Sequence, residues 1–143
     1  VLEMVDRSQY VPKNPYMDAP QGIGSGQTIS APHMHAHVLE EIYPYLVGKQ
    51  ELRILDVGCG SGYLTTALGR FIQEKPSAAS RVSDGGTEAV SGRVYGIDVR
   101  QDLVDLAEKN IQKADADLLD AGILSIQVGD GWEGLPSEAP FDA

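Results

Sequence analysis

Cysteine is almost missing from this chain: Cys59 is the only one among 143 residues. One thiol excludes an intramolecular disulfide framework and fits a reducing compartment, so a cytoplasmic protein is expected. Long apolar runs are missing too. No stretch approaches the roughly 18 apolar residues of a membrane-spanning helix, so no membrane partner is expected. The first ten residues lack the basic start and apolar centre of a secretory signal. They begin with Val, not Met, and the sequence is therefore read as a fragment. Positive charge is scarce: 11 Lys and Arg stand against 21 Asp and Glu, a net charge of −10. Such a surface repels phosphate and argues against a nucleic-acid partner.

What is present suits one globular domain. Hydrophobic residues make up 42% and charged residues 22%, close to soluble averages. Residues 1–30 carry no sustained period. Asn14-Pro15, Ala19-Pro20 and the glycines at 22, 24 and 26 mark a long structured loop. A helix is expected from Ser30-Ala31-Pro32, with Ser30 as N-cap and Pro32 in the first turn. Met34, Val38, Leu39, Ile42, Tyr43 and Leu46 give it an apolar face. Pro44 should kink that helix or end it early, with Gly48 as a stop.

Arg53–Val57 reads as a buried strand, followed at once by a glycine-dense turn. Leu64, Ala67, Leu68, Phe71 and Ile72 then carry a helix. The segment from Gln73 to Gly92 is rich in Ser, Gly and Ala and reads as a flexible insertion. Arg93–Asp98 is a second strand, Gln101–Ala114 a second helix, and Leu124–Val128 a third strand. Phe141-Asp142-Ala143 resembles the entry to a fourth. Strand, helix, strand, helix, strand predicts a doubly wound, mostly parallel α/β sheet, incomplete here. Ligands in such sheets bind at the carboxyl ends of the strands.

Three such ends carry suggestive residues. The first is Asp56-Val57-Gly58-Cys59-Gly60-Ser61-Gly62. Its glycines permit a tight turn and let a ligand approach bare backbone. Tyr63 stands where the last glycine of a dinucleotide fingerprint would be. The second is Asp98, whose carboxylate can accept from both hydroxyls of a ribose. It follows Gly62 by 36 residues, against a usual spacing of about 20; the insertion accounts for most of the excess. The third is Gly129-Asp130-Gly131, which is also a common turn sequence.

The D-x-G-x-G-x-G form of residues 56–62 resembles motif I of the S-adenosylmethionine (SAM)-dependent methyltransferases. Upstream, Asn14-Pro15-Tyr16-Met17-Asp18 and Gln27-Thr28-Ile29-Ser30-Ala31-Pro32-His33-Met34-His35-Ala36 resemble the protein-L-isoaspartate O-methyltransferase family. Val5-Asp6-Arg7-Ser8-Gln9-Tyr10 and Val128-Gly129-Asp130-Gly131-Trp132 are similar to that family as well. The resemblance covers nearly the whole chain outside the insertion.

The resemblance implies a Rossmann-like SAM-dependent methyltransferase fold. It divides the chain into a substrate-side segment, 1–30, and a partial SAM-binding domain, 31–143. It implies methyl transfer from SAM to the α-carboxylate of L-isoaspartyl residues in damaged proteins and peptides, without metal, by a protein that is monomeric when complete. The methyl ester then closes to a succinimide without the enzyme, and hydrolysis returns part of it to aspartate. Ser30 matches the active-site serine. Gln27, Thr28, Ile29, Ser30 and His35 match positions lining the SAM pocket. Asp56, Gly58, Gly60, Ser61 and Gly62 match the cofactor loop, with Ser61 a direct contact. Asp98 and Val99 match the ribose pair, and Asp130 and Gly131 the adenine-side pair.

Members of that family continue beyond the position matching Ala143, so a sheet open at one edge is expected. Alternatives stay open: another SAM methyltransferase acting on RNA or a small molecule, an NAD-dependent dehydrogenase, or a SAM-binding fragment without turnover. His33 and His37 are four apart on the expected helix, but Met34 stands where a zinc protease needs Glu. Packing or hydrogen bonding is the better reading for the histidines. Cys59 has no evident base partner and reads as a small loop filler.

Overall fold

The computed structural model describes residues 1–49, 51–74 and 91–143. In chain order, two short 3-10 turns, Leu2–Met4 and Arg7–Gln9, lead to a hairpin of β1 (Gln21–Gly24) and β2 (Gln27–Ile29). Next come α1 (Pro32–Leu46), β3 (Glu51–Val57), α2 (Tyr63–Glu74) and β4 (Ser91–Asp98). Then follow α3 (Gln101–Ala114), α4 (Ala116–Asp120) and β5 (Leu124–Val128). The strands β3, β4 and β5 form a parallel sheet in that order. Among the described residues, no helix is long and apolar enough to cross a membrane.

The sheet forms where aliphatic and β-branched residues cluster. β3 alternates: Leu52, Ile54 and Asp56 are buried while Glu51 and Val57 are exposed. The central strand β4 is buried from Val94 to Asp98, as expected for a parallel strand covered on both faces. At Gly96 an added Cβ would lie 2.8 Å from Ile126 and 3.1 Å from Cys59 and Thr65. Only hydrogen fits between β4 and the glycine turn there. The core includes Ile72, Ile111 and Leu118, all fully buried; each such side chain contributes about 1.5–3 kcal/mol.

Residues 141–143 lie along the free edge of β3. The Asp142 amide donates to the Arg53 carbonyl at 2.7 Å, and the Leu55 amide donates to the Ala143 carbonyl at 3.0 Å. Strand order therefore runs outward from β3 through β5 and then returns to the opposite side of β3. That reversal is a topological switch point, and it puts the ligand crevice at the carboxyl end of β3. The expected fourth strand is visible as these edge bonds but not as a regular strand.

Several expectations need correction. Residues 1–30 are not a plain loop. Ser25 and Gly26 both have positive φ, 55° and 71°, the geometry that closes a two-residue hairpin. The N-cap of α1 is Ala31, not Ser30, and alanine has no side-chain oxygen with which to cap the helix. Pro44 neither ends nor shortens α1, which continues to Leu46. It lies on the exposed side of the helix, while Ile42 and Leu46 anchor the other side in the core. Gly48, with φ of 83°, follows the C-cap Val47 as a stop should. The expected insertion loses both ends to regular structure: Gln73 and Glu74 close α2, and Ser91 and Gly92 open β4. Its remainder, 75–90, lies outside the described residues.

The N-terminal segment is built into the core. Val5, Tyr10 and Val11 are each at most 3% exposed. The Tyr10 hydroxyl donates to Asp115 Oδ2 at 2.5 Å, with Thr66 Oγ1 lying 3.1 Å away. Arg70 binds the other Asp115 oxygen at 2.6 Å and reaches Asp117 at 2.6 Å. The hairpin tip is tied down as well. Arg100 donates to the Ser25 carbonyl at 2.9 Å, and the Ser25 hydroxyl donates to the Asp102 carboxylate.

Candidate active site

The glycine turn leaves β3 at its switch-point end. The amides of Gly58 and Cys59 both donate to the Ile97 carbonyl, at 2.8 and 3.0 Å, which pulls the turn onto the tip of β4. The Gly60 amide donates to Asp98 Oδ2 at 3.2 Å. Gly58, Gly60 and Gly62 have φ of 80°, 55° and 85°, a region that side chains disfavour. A Cβ on Gly58 would meet nothing within 4 Å. Bare backbone therefore faces open space at the crevice, a cradle suited to a ligand that must approach the main chain closely.

The opposite wall comes from β2 and α1. Thr28, Ile29 and Ser30, with Met34, His35 and Val38, face Asp56 to Ser61, Tyr63 and Leu64 across a cleft of about 210 Å³. Ser30 is exposed, and its carbonyl accepts from Arg7 Nη2 at 2.6 Å. Ile23 of β1 lies over the turn, 3.5 Å from where a Gly60 Cβ would stand. Thus the hairpin forms one side of the cleft and the glycine turn the other.

Burial pushes His35, Asp56 and Cys59 each toward its neutral form. His35 is 6% exposed, and burial, with the Arg7 charge second, pushes its imidazole down to about 4. Asp56 is raised by burial; the Thr65 hydroxyl, donating at 2.6 Å, and then Asp98 act on it in opposite senses. Burial pushes the Cys59 thiol up to about 12, with Asp56 and Asp98 adding to the effect. Cys59 is thus a protonated, buried filler between the turn and β4, not a nucleophile.

Of the residues singled out from sequence, Thr28, Ile29, Ser30, His35, Asp56, Gly58, Gly60 and Ser61 line this cleft. Gln27, Gly62, Asp98, Val99, Asp130 and Gly131 do not. Gly62 opens α2 and packs its α-carbon against α3, where a Cβ would lie 3.1 Å from Ile111. Asp98 spends one oxygen on the Gly60 amide and the other on the Arg100 amide, at 3.1 Å. Val99 is 70% exposed at the tip of β4. Asp130 is exposed and caps its own turn, accepting from the Trp132 amide at 2.9 Å. Gly131 lies against Val57, where a Cβ would come to 2.4 Å. Asp98, Val99, Asp130 and Gly131 thus lie at or just beyond the tips of β4 and β5.

Sequence reading missed Arg7 and Tyr63. Arg7 is 4% exposed, bonded to His35 Nδ1 at 3.1 Å, and stacked 5.1 Å from the Tyr63 ring centre. Its position within Val5–Tyr10 carried the family resemblance, but nothing in the pattern announces a buried arginine. His33 and His37 turn away from the cleft. His33 Nδ1 lies 2.7 Å from Asp18, and His37 lies 4.0 Å from Glu41.

Known proteins match this geometry. The family model described as Protein-L-isoaspartate(D-aspartate) O-methyltransferase matches residues 1–143. A protein-L-isoaspartate O-methyltransferase of Caenorhabditis elegans is 39% identical over 142 residues, covering 99% of this chain and 55% of that protein. One from Triticum aestivum is 40% identical over 146 residues, covering 100% and 56%. The chain thus spans about half the length of the curated relatives it matches. A Plasmodium falciparum crystal structure assigned to this enzyme class, solved in complex with S-adenosyl-L-homocysteine, superposes with a TM-score of 0.69 at 34% identity. It covers 87% of this chain, which covers 51% of it. With its Rossmann-like sheet, its glycine turn and the Ser30 segment facing each other, this chain belongs to the protein-L-isoaspartate(D-aspartate) O-methyltransferase family.

Proposed function

We propose that this chain is the cofactor-binding part of an enzyme that transfers a methyl group from SAM to the α-carboxylate of L-isoaspartyl residues, initiating their repair. The observation that carries the reading is one convergence. The Ser30 segment and the glycine turn, 28 residues apart from Ser30 to Gly58, form the two walls of a single cleft. The residues present fit the cofactor: bare glycine backbone on one wall, a neutral imidazole on the other, and Asp98, Val99, Asp130 and Gly131 around the strand tips. Gln27 and Gly62 support those walls from outside. In this reading residues 1–30 form the substrate-side wall and 31–143 the cofactor side.

When bound, SAM supplies an electrophilic methyl group on a sulfonium. The acceptor carboxylate is already ionised at neutral pH, so this chain needs no general base. Its contribution is alignment of the reacting atoms, the effect that dominates such transfers. Ser30 donates its hydroxyl to the acceptor carboxylate and orients it. The hairpin places that serine across the cleft from the turn. The same reading takes the protein to be a cytoplasmic monomer acting on isoaspartyl proteins and peptides, with no part for nucleic acid, membrane or metal.

The test is methyl transfer from labelled SAM to paired peptides, one with isoaspartate and its twin with aspartate. Selective labelling of the isoaspartyl peptide is expected. Equal labelling of both, or labelling of neither by a complete chain, overturns the reading. Calorimetry with S-adenosyl-L-homocysteine separates a catalytic chain from one that only binds the cofactor, and an NAD titration excludes a dehydrogenase if no heat is seen.

A further inference from the structure

The first two turns of α1 carry two histidines whose same ring nitrogen meets opposite partners. His33 Nδ1 faces the Asp18 carboxylate at 2.7 Å. His35 Nδ1 faces the Arg7 guanidinium at 3.1 Å. A carboxylate only accepts here and a guanidinium only donates. His33 must therefore carry a proton on Nδ1 to make its bond, and His35 must not. With Nδ1 occupied as an acceptor, a neutral His35 holds its proton on Nε2.

We propose that Arg7 is a positioning residue: it selects the Nε2–H tautomer of His35 and so fixes a hydrogen-bond donor on the cleft wall beside Ser30. The same guanidinium grips the Ser30 carbonyl at 2.6 Å through Nη2. One planar group therefore sets both the serine backbone and the histidine ring, a double contact for which the rigid guanidinium fork is pre-shaped and a flexible ammonium is not. Tyr63 holds the arrangement from the other side, with His35 edge-on at 5.0 Å between ring centres and the Arg7 charge over its face. Arg7 Nε is buried and has no hydrogen-bond partner among the described residues. A buried charge with an unmet donor is costly to hold, and an apolar side chain would fill the same space without that cost. What the arginine adds is the polarity of His35. Among the described residues, the groups facing this imidazole are Arg7, Tyr63 and, beyond Arg7, Asp18. None of these is a carboxylate in contact with it that would favour the other tautomer. The donor's ligand rests on the proposed methyltransferase reading; the tautomer does not.

Nitrogen-15 NMR of the labelled chain at neutral pH decides the matter. In the wild type His35 Nδ1 should resonate as an unprotonated nitrogen and Nε2 as a protonated one, with His33 Nδ1 protonated as the internal contrast. Arg7→Leu should collapse the His35 pair toward a mixture, and Arg7→Lys should restore the Nε2–H form in part. With S-adenosyl-L-homocysteine or the isoaspartyl peptide added singly, the Nε2 signal should move for whichever one it contacts. In the transfer assay Arg7→Leu should lower kcat by tenfold or more with a smaller change in KM for SAM. A proton on His35 Nδ1, or an imidazolium, in the wild type overturns the proposal even if Arg7→Leu fails to fold. So does a folded Arg7→Leu with an unchanged tautomer. A wild type with the expected tautomer but no methyl transfer refutes the functional reading alone.

Discussion

The Gly60 amide donates to the Asp98 carboxylate across 38 residues of sequence, at 3.2 Å, so the cofactor turn takes its shape from the tip of the neighbouring strand. The other Asp98 oxygen accepts from the Arg100 amide, and Arg100 in turn holds the hairpin tip. One carboxylate thus connects the turn, β4 and the segment covering the cleft. Asp98→Ala should raise the dissociation constant for S-adenosyl-L-homocysteine at least tenfold in calorimetry. Asp98→Asn, which keeps an acceptor oxygen, should fall between. Unchanged affinity in the alanine variant would remove Asp98 from the site.

Gly62 combines a positive φ of 85° with close packing on Ile111 and Ala107. Gly62→Ala should therefore lose about 2–4 kcal/mol, from backbone strain and overpacking together. Gly122 offers a matched comparison, since it has φ of 69° and nothing within 4 Å of an added Cβ. Gly122→Ala should lose only about 1–2 kcal/mol. Urea unfolding of the two variants checks the ranking, and equal losses would contradict the packing account.

Stability should fall on mild acidification because of His35. Its folded-state value is held down to about 4, whereas the unfolded imidazole has its ordinary 6.5. Between those values the unfolded chain binds the extra proton, so the contribution is complete above 6.5 and is lost as pH falls toward 4. Relative to wild type, His35→Gln should flatten the pH dependence in that window by on the order of 2–3 kcal/mol. Parallel slopes for the two proteins in urea titrations would show that the histidine is not held neutral.

Tyr10→Phe removes a hydroxyl that donates to Asp115, while Arg70 remains on Asp115. A loss of about 1.5–3 kcal/mol is expected, as for a hydrogen bond to a charged acceptor. Denaturant melts measure it, and a loss below that range would mean that Arg70 alone satisfies the carboxylate.

The sequence was most legible where one physical rule acts without competition. Gln101–Ala114 and Leu124–Val128 have the limits their periodicity predicts, because an amphipathic helix and a buried parallel strand leave little choice of register. The glycine turn was legible because its conformation excludes side chains. The hairpin at Gln21–Ile29 was not, since Gly-Ser-Gly alone signals a turn without naming its strands. Pro44 failed as a stop because core anchoring at Ile42 and Leu46 outweighs one missing amide. At the site, Ser30, His35 and the loop residues could be named in advance, whereas Arg7 could not. Burial of a charged side chain depends on partners, here Ser30, His35 and Tyr63, that only the folded chain brings to it.

Tyr10 closes onto Asp115, 105 positions further along the chain. During synthesis on the ribosome, the opening residues therefore emerge long before the group that will hold them. The cleft cannot take its final form as its own residues appear. It must wait for α3 and the turn after it to be translated, so the earliest-made wall of the site is among the last parts to lock.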